Sequence, residues 1–177
     1  IVKYLAYHHT EDESVDELGF RVNGTLDRAR GAGFEAALRS QRDRADAFWA
    51  ISDVRTEGAP LLQQAVRYNL YQLMQASACS EGYGIPSKGL TGQVYEGHSF
   101  WDTEIYVMPF LSYTAPSLAR SLLHHRYTML AQARQRASEV GMRGALFPWR
   151  TINGEEASAY YAAGTAQYHI DADVAYA

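Results

Sequence analysis

The segment TGQVYEGHSFWDTEIY, residues 91–106, combines side chains that could bind a polar, ring-shaped ligand. Trp101 is followed directly by Asp102, and Glu104 comes two positions later. An indole can pack against the C–H face of a sugar ring, while a carboxylate accepts hydrogen bonds from the hydroxyl groups of the same ring. In the alternative interpretation Trp101 belongs to the core and Asp102 is the N-cap of a following helix. Both can hold, because a capping residue at a helix mouth also faces a cavity.

Two further polar groups near this chemistry have competing interpretations. The adjacent acids Glu155 and Glu156 in NGEEAS could contact a sugar or act as a catalytic carboxylate, although such a pair is more often a solvated turn. His98 could hydrogen-bond a ligand, although an isolated histidine beside a glycine is more often a structural donor. The histidine pairs His8–His9 and His124–His125 lack the spacing or acidic partners of a metal site, so no metal site is predicted.

The composition excludes several classes of protein. The 177 residues are 47% hydrophobic with a formal net charge of −4, and no basic stripe with interleaved aromatics predicts binding to nucleic acid. No apolar run approaches the roughly 20 residues of a membrane span, and no signal peptide is recognisable. The single cysteine, Cys79, precludes an internal disulfide and is typical of a reducing compartment. We therefore expect a cytoplasmic protein.

The first part of the chain predicts one strand and two charged helices. Residues 1–9 alternate as a strand does, with no partner strand in the rest of the chain, and a capping box at Thr10 and Glu13 marks a helix start. The apolar stripes of the two helices, separated by GAG at 31–33, are narrow, as in a connector that packs on one side. These stripes comprise Val15, Leu18, Val22, Leu26 and Ala29, then Phe34, Leu38, Ala45 and Phe48.

The remainder predicts helices that alternate with long polar-aromatic loops. A helix from Leu61 is apolar on most sides and is therefore expected to be buried on most sides. A helix over 116–140 carries Arg126 among apolar neighbours, which requires a buried acid, either Asp102 or Glu104. Another helix begins at Asp171. The glycine-rich loop SEGYGIPSKGLTG contains a lysine but lacks the glycine-lysine-hydroxyl ending of a phosphate-binding P-loop.

Two segments carry a resemblance to a known family. KGLTGQVYEGHSFWDTEIYVMPF, from Lys88 to Phe110, and the segment from Gly144 to Ile170 resemble glycoside hydrolase family 65. Its members are inverting phosphorylases of maltose, trehalose, kojibiose or nigerose, together with hydrolases such as acid trehalase. The resemblance extends over essentially the whole chain.

The resemblance implies a mainly α fold and a division of the chain. Residues 1–9 would be the final strand of an N-terminal β-sandwich, residues 10–58 a helical linker, and residues 59–177 the first part of an (α/α)6 catalytic barrel. We expect the chain to be a fragment, and we expect its uncovered helix faces to self-associate or to require the missing half of the barrel.

The resemblance also implies the roles of particular residues. Trp101 and Asp102 would bind the glycosyl unit whose bond is broken, with His98, Glu155 and Tyr161 as further candidates for binding the substrate. The general acid, a glutamate, and the residues that bind phosphate would lie beyond residue 177. Residues 1–177 alone are therefore expected to be inactive. The implied reaction needs inorganic phosphate as co-substrate, and no metal or organic cofactor.

The identity of the disaccharide is narrowed by one departure from the family pattern. Maltose-acting members carry a tryptophan-glutamate pair about where Tyr161 and Ala162 stand, which favours trehalose, with kojibiose next. Hydrolysis of the same bond is the alternative within the family. A helical interaction module without a sugar site is the alternative from another class.

Overall fold

A computed structural model of the chain describes residues 1–9, 14–78, 82–160 and 167–177. The chain divides into two compact units, Ile1–Asp53 and Val54–Ala177. The described residues form helices and loops without any β-strand, so the mainly helical prediction is confirmed. Residues 1–9 have no regular secondary structure, because no described strand is available to pair with them. Their place in a sandwich, and the predicted division at residues 9 and 58, stay predictions.

The first unit contains α1, Val15–Ala32, and α2, Phe34–Ser52. A capping box begins α1, but it is formed by Ser14 and Glu17: Ser14 N donates to Glu17 Oε2 at 2.8 Å, and Glu17 N donates to Ser14 Oγ at 3.3 Å. The hydrogen bonds from Ser14 lower the pKa of Glu17. The predicted box of Thr10 and Glu13 lies outside the described residues.

The predicted break between these two helices is confirmed at Gly33. Its φ of 79° lies in the left-handed region, which a glycine adopts at little cost, and its N–H donates to Ala29 O to end α1. Helix α1 buries no residue, and α2 buries only Ser52. The two helices are thus as sparsely packed as their narrow apolar stripes predict.

The second unit holds five α-helices and two shorter helical turns among its described residues. They are α3 (Pro60–Ala78), a 3₁₀ turn (Val94–Gly97), a π turn (Thr103–Val107), α4 (Met108–Thr114), α5 (Pro116–Thr128), α6 (Leu130–Glu139) and α7 (His169–Tyr176). None of the described helices is long and apolar enough to cross a membrane.

One apolar core joins the end of α3 to α4 and α5. Its buried members are Ala76, Ile85, Met108, Leu111, Ala119 and Leu122. The apolar stripe predicted for the helix over 116–140 comprises Leu118, Leu122, Met129, Ala133 and Ala137. The last four are buried, and Leu118 is half-buried. This core fixes the start of α4, and therefore the turn that precedes it.

Three predictions about these helices need correction. The single helix predicted over 116–140 is two helices, because Thr128 Oγ1 bonds His125 O at 2.7 Å and Met129 N closes a tighter bond to Arg126 O at 3.1 Å. Helix α3 is not buried on most sides: only its last turns meet the core, and Leu61 and Leu62 are exposed. Helix α7 begins at His169 rather than at Asp171.

Candidate functional site

The two long loops of the second unit are joined by one backbone bridge. Ser99 N donates to Thr151 O at 2.9 Å, and Thr151 N donates to Ser99 O at 3.2 Å. Ser99 Oγ adds a third bond to Thr151 O at 3.1 Å. Thr151 is fully buried, and its hydroxyl accepts from Gly154 N at 2.8 Å. The bridge places the aromatic residues of one loop beside those of the other.

The FWDTE residues, Phe100 to Glu104, lead into the π turn and include its first two residues. Asp102 has helical backbone angles, φ −55° and ψ −31°, and its carboxylate makes no capping hydrogen bond. Asp102 therefore lies where an N-cap would lie without acting as one, because helical backbone angles at that position are not those of a capping residue. The side chain is exposed, and its carboxylate is available to a ligand.

A cleft of about 720 Å³ opens between α3, the loop over 85–91 and the FWDTE residues. Helix α3 contributes the polar side chains of Tyr68, Asn69 and Gln72, the loop contributes Lys88, and both Trp101 and Asp102 line the opposite side. A cleft of this volume is within the range of small-molecule binding sites.

Aromatic rings form one wall of this cleft. Tyr95 packs edge-on against Phe100 with centroids 5.2 Å apart, and Phe100 packs edge-on against Trp149 at 5.0 Å. All three rings line the cleft. Such edge-to-face contacts between rings are favourable, and here they place the three rings side by side along the cleft.

Trp101 is supported from α7. The His169 ring packs edge-on against the indole with centroids 4.8 Å apart. Both ring nitrogens of His169 are hydrogen-bonded, Nδ1 with Asp173 Oδ2 at 2.8 Å and Nε2 with Gln167 Oε1 at 2.9 Å. The imidazole is thereby held in place, and it supports an indole that is half-buried and still lines the cleft.

The loop before the FWDTE residues is strained. Tyr95 and Glu96 have φ values of 65° and 52°, a region that residues other than glycine adopt at a cost of about 1–3 kcal/mol each. Glu96 Oε2 accepts from Arg150 Nη2 at 3.0 Å, and Arg150 also lies 3.3 Å from His98 Nδ1. His98 Nδ1 lies 2.7 Å from Tyr95 O. These contacts hold the Tyr95 ring at the cleft.

The acid partner of Arg126 is Glu104. Arg126 Nε donates to Glu104 Oε1 at 2.6 Å, and Nη2 donates to Oε2 at 3.0 Å. Both side chains are 3% exposed. The sequence predicted a buried acidic partner for Arg126, which could be either Asp102 or Glu104. The structure assigns the role to Glu104 and leaves Asp102 facing the cleft.

The structure separates the other candidate binding residues from the two at the cleft. His98 does not line the cleft and is hydrogen-bonded within the strained loop. The exposed Glu155 is bonded twice to the Asn153 side chain: its carboxylate accepts from Asn153 Nδ2, and its backbone N donates to Asn153 Oδ1. Tyr161 lies outside the described residues. For all three residues a role in binding the substrate stays a prediction.

Glu156 holds its loop together. Its carboxylate accepts backbone hydrogen bonds from Trp149 N at 2.6 Å, Arg150 N at 3.3 Å and Ser158 N at 2.9 Å. The carboxylate thus accepts hydrogen bonds from three backbone N–H groups and positions Trp149 in the wall. It is not available as a proton donor to a ligand.

Several lining residues were missed by the sequence reasoning. Asn69 and Gln72 lie on a helix whose polar positions carried no signal, and Lys88 was considered only as part of a P-loop. The spacing of Asn69 and Gln72, three positions apart, places both on one helix face and could have indicated a polar stripe.

The arrangement is suited to binding a polyhydroxylated ring. Among the described residues that line the cleft, Asp102 is the only acid, and Lys88 is the only base. Cleavage of a glycosidic bond by an inverting enzyme needs a proton donor as well as groups that hold the sugar. No described cluster of three or more His, Cys, Asp or Glu side chains could hold a metal ion. The cleft is therefore a binding face with one free carboxylate.

Comparison with known proteins yields a consistent group of matches. The profile of the glycosyl hydrolase family 65 central catalytic domain matches residues 67–177. The chain is 51% identical over 177 residues to an uncharacterized glycosyl hydrolase of Mycobacterium tuberculosis, covering 100% of this chain and 22% of that protein. It is 45% identical over 175 residues to the alpha,alpha-trehalose phosphorylase of Thermoanaerobacter brockii, covering 99% of this chain and 23% of that protein.

A solved structure gives the same answer for the fold. A protein from the human microbiome, named "Putative kojibiose phosphorylase", superposes with a TM-score of 0.86 at 32% identity, covering 93% of this chain and 23% of that one. The chain thus spans between a fifth and a quarter of the length of the relatives it matches.

Proposed function

Because this chain belongs to glycosyl hydrolase family 65, we propose that its cleft binds the glucosyl unit of an α-linked glucose disaccharide. Trp101 packs against the ring, and Asp102 accepts hydrogen bonds from its hydroxyl groups. The longer protein that carries the chain transfers this unit to inorganic phosphate. The observation that carries the proposal is that both residues line one cleft, with the Asp102 carboxylate free of any helix cap.

The proposed reaction proceeds with inversion. A carboxylic acid protonates the glycosidic oxygen and releases glucose, while a phosphate oxygen attacks the anomeric carbon from the opposite face to give β-glucose 1-phosphate. Phosphate is itself the nucleophile, so no enzymic base is needed. By the family resemblance, the proton donor is a glutamate beyond residue 177. Neither Glu104, which is paired with Arg126, nor Glu156, which accepts three backbone hydrogen bonds, is free to take that role.

We propose α,α-trehalose as the disaccharide. The identity of 45% with the trehalose phosphorylase exceeds the 32% with the solved structure named for kojibiose, and supports this order. The sequence at 161–162 also departs from the pattern of maltose-acting members. Kojibiose comes second.

Hydrolysis is the second candidate, favoured by the name of the mycobacterial relative. It would require a second carboxylate to deprotonate the attacking water. The phosphate-dependence of the reaction distinguishes the two candidates.

The test is phosphate dependence in the full-length protein. Trehalose, kojibiose, nigerose and maltose are supplied with and without phosphate, and the anomeric products are followed by proton NMR. We expect β-glucose 1-phosphate from trehalose only when phosphate is present. Equal release of glucose without phosphate would establish hydrolysis instead.

The site is tested by two variants with matched controls. Asp102→Asn removes a charged acceptor, and Trp101→Ala removes the ring; we expect kcat/KM to fall at least about 10- to 100-fold in each. Asp43→Asn and Tyr113→Ala change an exposed acid and an exposed ring that do not line the cleft, and they should leave kcat/KM unchanged. Unchanged kinetics in both site variants would favour a helical interaction module.

A further inference from the structure

The residues after Asp102 adopt a rare backbone form. Thr103–Val107 is a π turn, in which Met108 N donates to Thr103 O, five residues back. A π turn contains one residue more than an α turn, so it rotates the chain on its N-terminal side relative to the chain on its C-terminal side. Here it sits between the cleft residues Trp101 and Asp102 and helix α4, whose first residue Met108 is in the core.

The two sides of this short segment have opposite environments. Asp102 is exposed at the cleft, whereas Thr103 and Glu104 are 8% and 3% exposed. The buried side contacts α5 through one ion pair, in which Arg126 Nε and Nη2 donate to separate oxygens of Glu104, at 2.6 and 3.0 Å. The direction in which Asp102 points is thus coupled to the direction in which Glu104 points, two residues later.

The pair has a geometry that apolar contacts lack. Two parallel N–H···O bonds between a planar guanidinium and a carboxylate tolerate little rotation of either group. Apolar side chains of the same volume would fill the space equally well and often give equal or greater stability. Such apolar side chains would not fix the rotation of one group relative to the other. The buried ion pair is therefore better explained by the orientation that it imposes than by a gain in stability.

We propose that Glu104 and Arg126 are positioning residues for the cleft. Their ion pair fixes the rotation of the π turn, and through it the orientation of the Trp101 ring and the Asp102 carboxylate towards the ligand. The pair itself does not contact the ligand, since neither residue lines the cleft. This inference rests on the proposed function and adds to it the means by which the sugar-binding groups are held.

A double-mutant cycle in the full-length protein separates positioning from stability. Glu104→Gln is expected to lower kcat/KM on trehalose with phosphate by about 10- to 100-fold, the scale of a misplaced binding group. If Glu104 acts through Asp102 and Trp101, the loss of kcat/KM in the Asp102→Asn/Glu104→Gln double variant is smaller than the product of the two single losses. Effects that multiply would overturn the proposal. Glu139→Gln, which breaks the exposed pair with Arg136, is the matched control.

An apolar replacement keeps the test decisive where a single variant fails to fold. Glu104→Leu/Arg126→Met removes both charges and is expected to retain the melting temperature while kcat/KM stays at the level of Glu104→Gln. Recovery of both stability and activity in this variant would show that the pair serves stability alone.

A spectroscopic measurement is independent of turnover. The protein is labelled with 5-fluorotryptophan and observed by fluorine NMR. The Trp101 resonance is identified by its loss in the Trp101→Phe variant. We expect this resonance to shift in Glu104→Gln and in the apolar double variant, and to stay fixed in Glu139→Gln. An unmoved resonance overturns the positioning role whatever the substrate is. Conversely, full activity in Asp102→Asn would remove the proposed function and leave the spectroscopic result standing.

Discussion

Two turns present aromatic rings to the cleft, and they are held in opposite ways. The turn at 101–107 carries Trp101 and is tied to α5 by the Glu104–Arg126 pair, whose members are 3% exposed. The turn at 94–97 carries Tyr95 and is tied to the second loop by the Glu96–Arg150 pair, where the Glu96 side chain is 80% exposed. The first has helical backbone angles at Asp102, and the second has left-handed angles at two residues.

The difference shows how one cleft combines a fixed side with an adjustable one. A buried, bidentate pair cannot exchange its partners for water without a large cost, so the indole and its carboxylate keep one orientation. An exposed pair competes with solvent and contributes little, so the strained turn that carries Tyr95 is free to relax when its contacts change. Three measurements test this contrast.

Arg126→Met should give the largest effect. Removing the guanidinium leaves the Glu104 carboxylate buried without its partner, and the free energy of unfolding should fall by about 3–5 kcal/mol. Urea denaturation followed by circular dichroism measures the loss. Arg120→Met, the same substitution at an exposed position of α5, should stay within about 0.5 kcal/mol. Equal losses in the two variants would remove the distinction between the turns.

Titration of His125, which is adjacent to Arg126, should make the free energy of unfolding depend on pH, with an effect of intermediate size. Burial, and then the neighbouring positive charge of Arg126, lower the pKa of His125 below its ordinary value of 6.5. As the pH falls below 6.5 the unfolded chain takes up a proton that the folded chain does not, so the free energy of unfolding decreases towards acid. One proton limits the slope to about 1.4 kcal/mol per pH unit.

His125→Gln should flatten this part of the stability curve, as measured by urea denaturation between pH 5 and 8. His124→Gln removes the adjacent exposed imidazole and leaves His125 in place, so the slope is retained. A slope that survives His125→Gln would assign the titration to another group.

Arg150→Met should give the smallest effect. Its ion pair with Glu96 is less buried than the Glu104–Arg126 pair, since the Arg150 side chain is 23% exposed and the Glu96 side chain 80%. We therefore expect a loss of no more than about 1 kcal/mol, decreasing further in high salt. The measurement is urea denaturation at low and high sodium chloride. A loss as large as that of Arg126→Met, independent of salt, would show that the strained turn is as rigid as the π turn.

The sequence predicted the helices where side chains repeat on one face. The stripe from Leu122 to Ala137 is buried as expected, and the requirement for an acid beside Arg126 followed from burying a charge. The break at Met129 was not predictable from that stripe, because it depends on a local hydroxyl bond made by Thr128 that does not disturb the apolar period.

The two candidate binding residues could be proposed from the sequence, whereas the contacts that hold them in place could not. Trp101 and Asp102 stand out by type and adjacency, whereas the π turn leaves no periodic signature in five residues. The support from His169 depends on a contact between residues 68 positions apart in the chain, which no local pattern encodes. The exposure of the first turns of α3 was also missed, since an apolar helix does not reveal where its neighbours are.

The bridge between Ser99 and Thr151 has a consequence for the order of folding. Its partners are 52 residues apart, and closing a loop of that length costs chain entropy that no local contact repays in advance. Helices α4 to α6 lie within the closed segment and shorten the effective distance once they have formed. We therefore expect the aromatic wall to be completed late, after helices α4 to α6 have formed, and the ligand face of a nascent chain to be complete only when Thr151 has been synthesised and docked.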